Sequence, residues 1–424
     1  MFRRTARPPY HAAPASGSKS PSRPAILFRV FLPILLILLA SVSGALLAYG
    51  THDVWAEYSH GIDFIMLVRR LEWPIAALAL IMCLALIALV IAGKRRAWWL
   101  LGLGPVLGLF LHHLYRDPYR GLAILDNPAF VSAAVAAQIA DDDYVVGLTF
   151  ADQAYAYPLN RLYLAPVIFQ TDQTRSMMLI WSAYANRASA WYITRDLRAG
   201  DIEIVSMPAN ALLLYNTKLG QFVDGVSATT RKGEKPAGFS SPISTSKMPW
   251  SQWRRLHPQT RVLVFDHKLL KQIRSRPLYP SLPMPKTAGK RPDEPRVLVL
   301  ATSRPAALPM DQLTRPVMNI RAGGVPIVLF RDPRSGHFAA FERQIERDLI
   351  PLFEQKVDAS RPLAACLVDR DTATSWSSDG RALDGDYAKT GKRLKPVPLE
   401  EDLYWGVMKF WMPQLELLDP AALK

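Results

Sequence analysis

Few side chains in this sequence stand in patterns that could do chemistry. Ser244-Thr-Ser-Lys247 is a Ser-x-x-Lys tetrapeptide, in which a neighbouring amine can activate a serine hydroxyl for covalent hydrolysis. It sits in a Ser/Pro-rich stretch without helical spacing or a companion motif. It therefore reads as a loop, and a hydrolase using Ser244 and Lys247 is kept as an alternative. Asp369-Arg-Asp371 begins like a calcium loop, but position five is Ala373, position six is not glycine, and Gly380 stands where a bidentate glutamate belongs. That reading is rejected. His112-His113 closes an apolar run, and His52 and His60 flank a polar loop; imidazole is a common metal ligand, so metal or haem handling is a second alternative. Adjacent histidines seldom ligate together, and interfacial residues without a ligand are the preferred reading. His257, His267 and His337 are dispersed singles.

The two cysteines, Cys83 and Cys366, are far apart in sequence, and only Cys366 lies in the C-terminal part. No disulfide or thiolate metal cluster can be built there, so that part must be held together by an apolar core. Trp181, Trp191, Trp250, Trp253, Trp376, Trp405 and Trp411 could line an apolar or carbohydrate groove, but large aromatics in a β-rich core are the commoner case.

The elements that position these residues begin with three apolar runs, Ile26–Tyr49, Pro74–Ala92 and Ala97–Leu114. At about 1.5 Å per helical residue each is near or above the ~30 Å hydrocarbon thickness of a bilayer. The third is the weakest, since Gly102, Gly104, Pro105 and Gly108 lower its helix propensity. Trp98, Trp99 and Tyr115 bracket it like an interfacial belt. Arg3, Arg4, Arg7, Lys19, Arg23, Arg29, Lys94, Arg95 and Arg96 would lie on one side, against Arg69, Arg70, Arg116 and Arg120 on the other. The positive-inside rule then places the tail and the Lys94–Arg96 loop in the cytoplasm and the large remainder outside. The orientation inverts if the third run does not cross. The length of the first run and the two runs behind it favour an uncleaved anchor over a signal peptide.

The formal net charge of +15 divides almost evenly, +8 within residues 1–120 and +7 in the rest. The outer lysines and arginines are scattered, whereas nucleic-acid binding wants a coherent basic stripe. No nucleic-acid partner is expected; the lipid bilayer is.

Downstream, Tyr144–Phe150, Pro166–Phe169, Met177–Trp181, Val297–Leu300 and Val325–Phe330 read as strands, with turns at Ala322-Gly-Gly324 and Ser378-Asp-Gly380. Short helices are expected at Asn127–Ile139 and Trp250–Leu256. Phe338–Lys356 has helical spacing at Phe341, Ile345 and Leu349, interrupted by Pro351, and is left open. The prolines between Arg274 and Arg296 make a stiff connector. The two sides of it look like copies. Trp250 to Pro258 and Trp405 to Pro413 share one spacing, Ala156-Tyr-Pro-Leu159 answers Ala307-Leu-Pro-Met310, and Met177–Trp181 answers Pro326–Phe330.

Ile124–Ala133, Asp141–Gly147, Ala156-Tyr-Pro158, Leu213–Asn216, Trp250–Val264, Leu367–Trp376, Gly380–Gly385 and Arg393–Pro398 together resemble a bacterial family known only as domain of unknown function three-one-seven-nine. The resemblance runs over roughly residues 121–418 and leaves the apolar block outside it. Family members typically carry Cys-Pro-x-Cys-Gly-Ser after the strand at Met177–Ile180, where this chain has Trp181-Ser-Ala-Tyr-Ala-Asn186-Arg187. Where the family tends to show Trp-His-Glu-Ile-Val-Asn-Asp, this chain has Leu164-Ala-Pro-Val-Ile-Phe-Gln170. The resemblance thus implies a copy without the thiols, imidazole and carboxylates of the family pattern.

The expected protein has a disordered basic tail (1–25), three transmembrane helices (26–115), a mainly β repeat (121–274), a Pro-rich linker (275–296) and a second repeat (297–420). Its place is the inner membrane with the C-terminal domain extracytoplasmic. The preferred function is a non-enzymatic binding or assembly module, partnered with the bilayer and with another envelope protein or an envelope polymer. No catalytic, cofactor-binding or metal residue is assigned, and no cofactor.

Overall fold

A computed structural model describes residues 23–93, 96–115, 122–136, 139–183, 185–265, 295–332, 336–356 and 364–419. The basic tail up to residue 22 and the Pro-rich connector up to residue 294 lie outside the described residues, as does His267. The chain forms two compact units, Met1–Tyr49 with Leu71–His113, and Gly50–Arg70 with Leu114–Lys424.

The first unit holds the apolar runs as helices. Arg23–Tyr49 and Glu72–Ile91 are continuous α-helices, whereas the third run divides into a 3-10 segment, Ala97–Gly102, and an α-helix, Leu103–Tyr115. The division falls where glycine and proline cluster, and Pro105 is tolerated because it lies in the first α-helical turn. Val30–Tyr49, Glu72–Ile91 and Ala97–Leu114 are each long and apolar enough to cross a membrane. A side chain at Gly102 would meet Ile37 Cδ1 at 2.3 Å, and one at Gly44 would meet Leu109 Cβ at 3.3 Å. Small residues thus bring the first and last runs together, as in lipid-embedded helix pairs. Trp73 and Ile91 remain 81% exposed, an apolar surface that water would disfavour.

The second unit is β-rich, with several sheets. In its first half the strands Ile124–Asp126, Val167–Thr171, Ser176–Ser182, Arg187–Ile193 and Phe239–Ile243 form one sheet in that order. A second sheet has the order Thr245–Pro249, Tyr144–Phe150, Gln153–Pro158, Arg261–Leu263, Phe130–Ser132. A third contains Gln221–Asp224, Leu213–Asn216 and Ile202–Ser206. Beyond the connector, Leu399–Tyr404, Arg296–Leu300, Ala306–Pro309 and Glu416–Leu417 make a four-stranded sheet. Two three-stranded sheets accompany it, Val317–Ala322 with Val325–Arg331 and Phe338–Glu342, and Phe353–Gln355 with Ala365–Asp369 and Ser375–Ser377.

The pairing directions run in parallel across the connector. Tyr144–Phe150 and Gln153–Pro158 form an antiparallel hairpin, as do Arg296–Leu300 and Ala306–Pro309. In each half a later strand pairs antiparallel with the first member, then a seven-residue helix follows, Trp250–Leu256 or Trp405–Trp411. A short strand after that helix pairs parallel with the second member. Two turns also match. Asp224 accepts from Ser227 N at 2.7 Å, and Asp369 accepts from Thr372 N at 2.6 Å, each three residues on. Ala228 and Ala373, each four residues on, take left-handed φ values of 54° and 56°.

The strands expected at Tyr144–Phe150, Met177–Trp181, Val297–Leu300 and Val325–Phe330 are present, and so is the helix Trp250–Leu256. The helix expected at Asn127–Ile139 is not: the chain there makes strand Phe130–Ser132, followed by a turn. Pairing with Arg261–Leu263 outweighs local helix propensity, and Ala133 and Ala136 fill the space beside Trp250 and Trp253. Phe338–Lys356 is strand at both ends, Phe338–Glu342 and Phe353–Gln355. Its three-and-four spacing reflects Phe341, Ile345 and Leu349 all turning into one apolar cluster.

The loop between the first two apolar helices belongs to the β-rich unit. It contains a 3-10 turn, Asp53–Glu57, and a helix, Gly61–Arg70, whose Ile62, Ile65 and Val68 are buried. Ile62 and Ile65 share an apolar cluster with Val205, Leu213 and Phe222. Gly61 is required there because a Cβ would fall 1.6 Å from the Trp55 carbonyl oxygen.

Candidate functional site

The strand Thr245–Pro249 runs alongside Tyr144–Phe150, with Lys247 opposite Val146. Alternation along an extended strand puts Thr245 and Lys247 on one face and Ser246 on the other, and Ser244 precedes the strand. The contacts follow that rule. Thr245 Oγ1 donates to the Ala188 carbonyl and Lys247 Nζ to the Asn186 carbonyl at 2.8 Å, while both serines are exposed. Ser244 and Lys247 therefore do not form a nucleophile–base pair, and the hydrolase alternative loses its geometric basis.

Lys247 lies in a cleft of about 230 Å³ whose walls come from both halves of the unit. Val146, Asn186, Ala188 and Thr245–Met248 line one side, and His337, Phe338, Leu399–Glu401 and Leu403 the other. The second wall is shaped by a β-bulge. Val297 pairs with Leu403 and Val299 with Glu400, so Glu401 and Asp402 together oppose Leu298. Asp402 takes φ 65° and Asn186 φ 55°, left-handed conformations that Asn and Asp tolerate better than most residues.

These two irregular points are tied to each other. Asn186 Nδ2 donates to the Asp402 carbonyl at 2.7 Å, and Lys247 Nζ reaches the Glu401 carbonyl at 3.2 Å. Arg187 makes a two-pronged pair with Glu400 at 2.8 and 2.7 Å, and Arg296 donates to Asp402 Oδ1. His337 contacts Glu401 through Nδ1 and Gln252 through Nε2, the latter at 2.7 Å. The charged side chains of the cleft thus have partners within the protein.

Burial pushes the Lys247 amine down to about 8, against the opposing pull of the Asp402, Glu400 and Glu401 charges. In the unfolded chain the amine titrates near its ordinary 10.5. Between those values the unfolded state binds the extra proton, so stability rises as pH increases from about 8 to 10.5. Lys247→Met should abolish that rise. Melting temperatures of both proteins across the interval provide the check, and an unchanged slope would disprove the assignment.

Among the described residues, the remaining sequence candidates do not line the cleft, except His337. His52 Nδ1 accepts from Val54 N and caps the 3-10 turn, and His60 is exposed beside Asp63. His113 Nε2 lies 3.2 Å from Glu72 Oε1, and the His112 ring is 4.8 Å from that of Tyr49. Among the described residues no group of three His, Cys, Asp or Glu side chains is placed to hold a metal ion. Asp369 is buried with both oxygens accepting from N–H and O–H donors, which suits a turn and not a cation. Trp181, Trp250, Trp253, Trp376 and Trp411 are core residues, and Cys366 is buried. At the divergent family segment, Ser182 Oγ donates to the Gly225 carbonyl and accepts from Leu212 N, a structural tie between sheets. Sequence reasoning named Asn186 and Arg187 only as part of the segment that departs from the family pattern, and did not single out Glu400, Glu401 or Asp402. Their one visible signal is three consecutive acids, Glu400-Glu-Asp402, in a strand whose ends are apolar.

The arrangement defines a β-rich two-walled domain preceded by three apolar helices. The chain belongs to the family of proteins of unknown function DUF3179, whose model matches residues 121–414. No curated protein and no solved structure matches it.

Proposed function

We propose that the protein is a membrane-tethered binding or assembly module without catalysis of its own, built from two copies of one β-rich repeat. The proposed location is the inner membrane, with the domain extracytoplasmic and its partner another envelope protein or an envelope polymer. The observation that carries the non-catalytic reading is the cleft itself. Lys247, Arg187, His337, Asp402 and Glu400 serve as ties between its two walls, which is what a scaffold asks of them. Catalytic groups, in contrast, are kept within reach of a reacting atom. The shared pairing pattern around the two hairpins and the paired Asp224 and Asp369 turns support the repeat reading. The three apolar helices and the positive charge flanking them support the tether.

The test uses full-length protein in its own membrane, with a photoreactive side chain in place of Thr245, half-buried on the cleft wall beside Lys247. A discrete crosslinked adduct is expected, together with no labelling of the protein by a serine-reactive fluorophosphonate. Turnover of any substrate by the purified protein, abolished by Lys247→Met or His337→Gln, would overturn the reading.

A further inference from the structure

The loop between the first two apolar helices is bound to the domain that follows the third, and this constrains how the chain crosses the membrane. Ile62 and Ile65 are 3% and 0% exposed within the cluster that also holds Val205, Leu213, Phe222 and Leu403. At the end of the same helix, the Arg69 guanidinium pairs with Glu203 and lies 5.0 Å from the Tyr215 ring centroid. Arg70 lies 5.5 Å from the Phe222 ring centroid. Apolar burial, an ion pair and two cation–π contacts join elements some 130 or more residues apart in sequence. Such packing cannot span a bilayer, so residues 50–70 and the β-rich domain lie on one side of it.

The geometry points to an even number of crossings between Arg70 and Leu122, and we infer that Glu72–Ile91 and Ala97–Leu114 both traverse the membrane. A single crossing by Glu72–Ile91 would strand the domain on the face opposite its own core residues. The docked loop therefore acts as an intramolecular clamp that fixes the topology independently of flanking charge. It also explains two of the four basic residues on that side, because Arg69 and Arg70 are engaged by the domain and not left to bias orientation. The inference rests on the proposed tether, but not on which side the domain faces.

Single cysteines at His60, Arg96 and Lys232, all exposed, can be probed with a membrane-impermeant maleimide in full-length protein carrying Cys83→Ala and Cys366→Ala. His60→Cys and Lys232→Cys should label from one side and Arg96→Cys from the other. Arg69→Cys with Glu203→Cys should be joined within one chain by a short bis-maleimide, seen as a mobility shift absent from either single variant, because the two long side chains meet at their tips. His60→Cys and Lys232→Cys labelling from opposite sides would overturn the clamp, and all three labelling from one side would overturn the double crossing. Labelling of His60→Cys and Lys232→Cys from the cytoplasm alone, with Arg96→Cys outside, would uphold the inference and overturn the proposed orientation. Absence of the protein from the membrane fraction would overturn both the tether and the crossings drawn from it. Should the cysteine-free background fail to accumulate, a compartment-sensitive reporter fused after Leu423 and another inserted at His60 must agree, and disagreement overturns the clamp.

Discussion

Gly147→Ala should destabilise the β-rich unit by about 3 kcal/mol, the upper part of the usual range for overpacking. Gly147 lies in the strand Tyr144–Phe150, paired with Ala156 on one side and Ser246 on the other. Its backbone is ordinary extended chain, so conformational freedom is not the reason for glycine. Space is the reason. A Cβ would stand 2.3 Å from Trp253 Cε3 and 2.4 Å from Cζ3. The indole cannot retreat, because it is buried with Trp250, Val145 and Val262, and its Nε1 donates to Thr260 Oγ1 at 2.9 Å. Gly200→Ala is the control, since nothing lies within 4 Å of a Cβ there. Denaturant unfolding followed by tryptophan fluorescence should separate the two variants clearly. Equal stability would mean that Trp253 does not rest on this strand.

Asp369→Ala is expected to cost about 3–5 kcal/mol, the scale for leaving several buried donors without their charged acceptor. Asp369 is fully buried and accepts from Thr372 N and Oγ1 at 2.6 and 2.8 Å, and from Trp376 Nε1 at 3.0 Å. Asparagine is no remedy, because both carboxylate oxygens face donors and an amide NH₂ would oppose one of them. Asp371→Ala, two residues on and exposed, should change stability by less than about 0.5 kcal/mol. Asp224→Ala should lose as much as Asp369→Ala, since Asp224 accepts from Val226 N, Ser227 N and Thr229 Oγ1 in the matching turn. Near-neutral behaviour of Asp369→Ala in the same unfolding assay would refute the account. Widely different losses at the two aspartates would weaken the two-repeat reading.

Much of the frame was legible because its signals are local. Tyr144–Phe150 and Val325–Phe330 alternate or run apolar over the length of a strand, and Trp250–Leu256 carries its helix between a proline and a turn. The helix Gly61–Arg70 had the same kind of signal in Ile62, Ile65 and Val68, but its brevity between two long apolar runs hid it. Asn127–Ile139 misled in the opposite direction. Its alanines favour helix locally, and only the distant strand Arg261–Leu263 makes Phe130–Ser132 extended. The cleft was illegible for a further reason. Lys247 belongs with Asn186, Glu401 and Asp402, partners that lie 61 to about 155 positions away and are gathered by a bulge and two left-handed residues. No periodicity encodes those.

The sequence by itself determined three apolar segments of membrane-crossing length, a β-rich remainder with no disulfide to hold it, and membership signals spread over residues 121–418. Those properties depend on composition and on neighbours a few residues apart. Only the tertiary structure decided that Ser244 is exposed while Lys247 is bound to the Asn186 and Glu401 carbonyls, and that the charged groups of the cleft tie its walls together. It alone showed that the loop after the first helix completes the core of the distant domain. Each of these turns on which remote surfaces meet, a choice set by shape and burial over the whole chain and not by any local pattern.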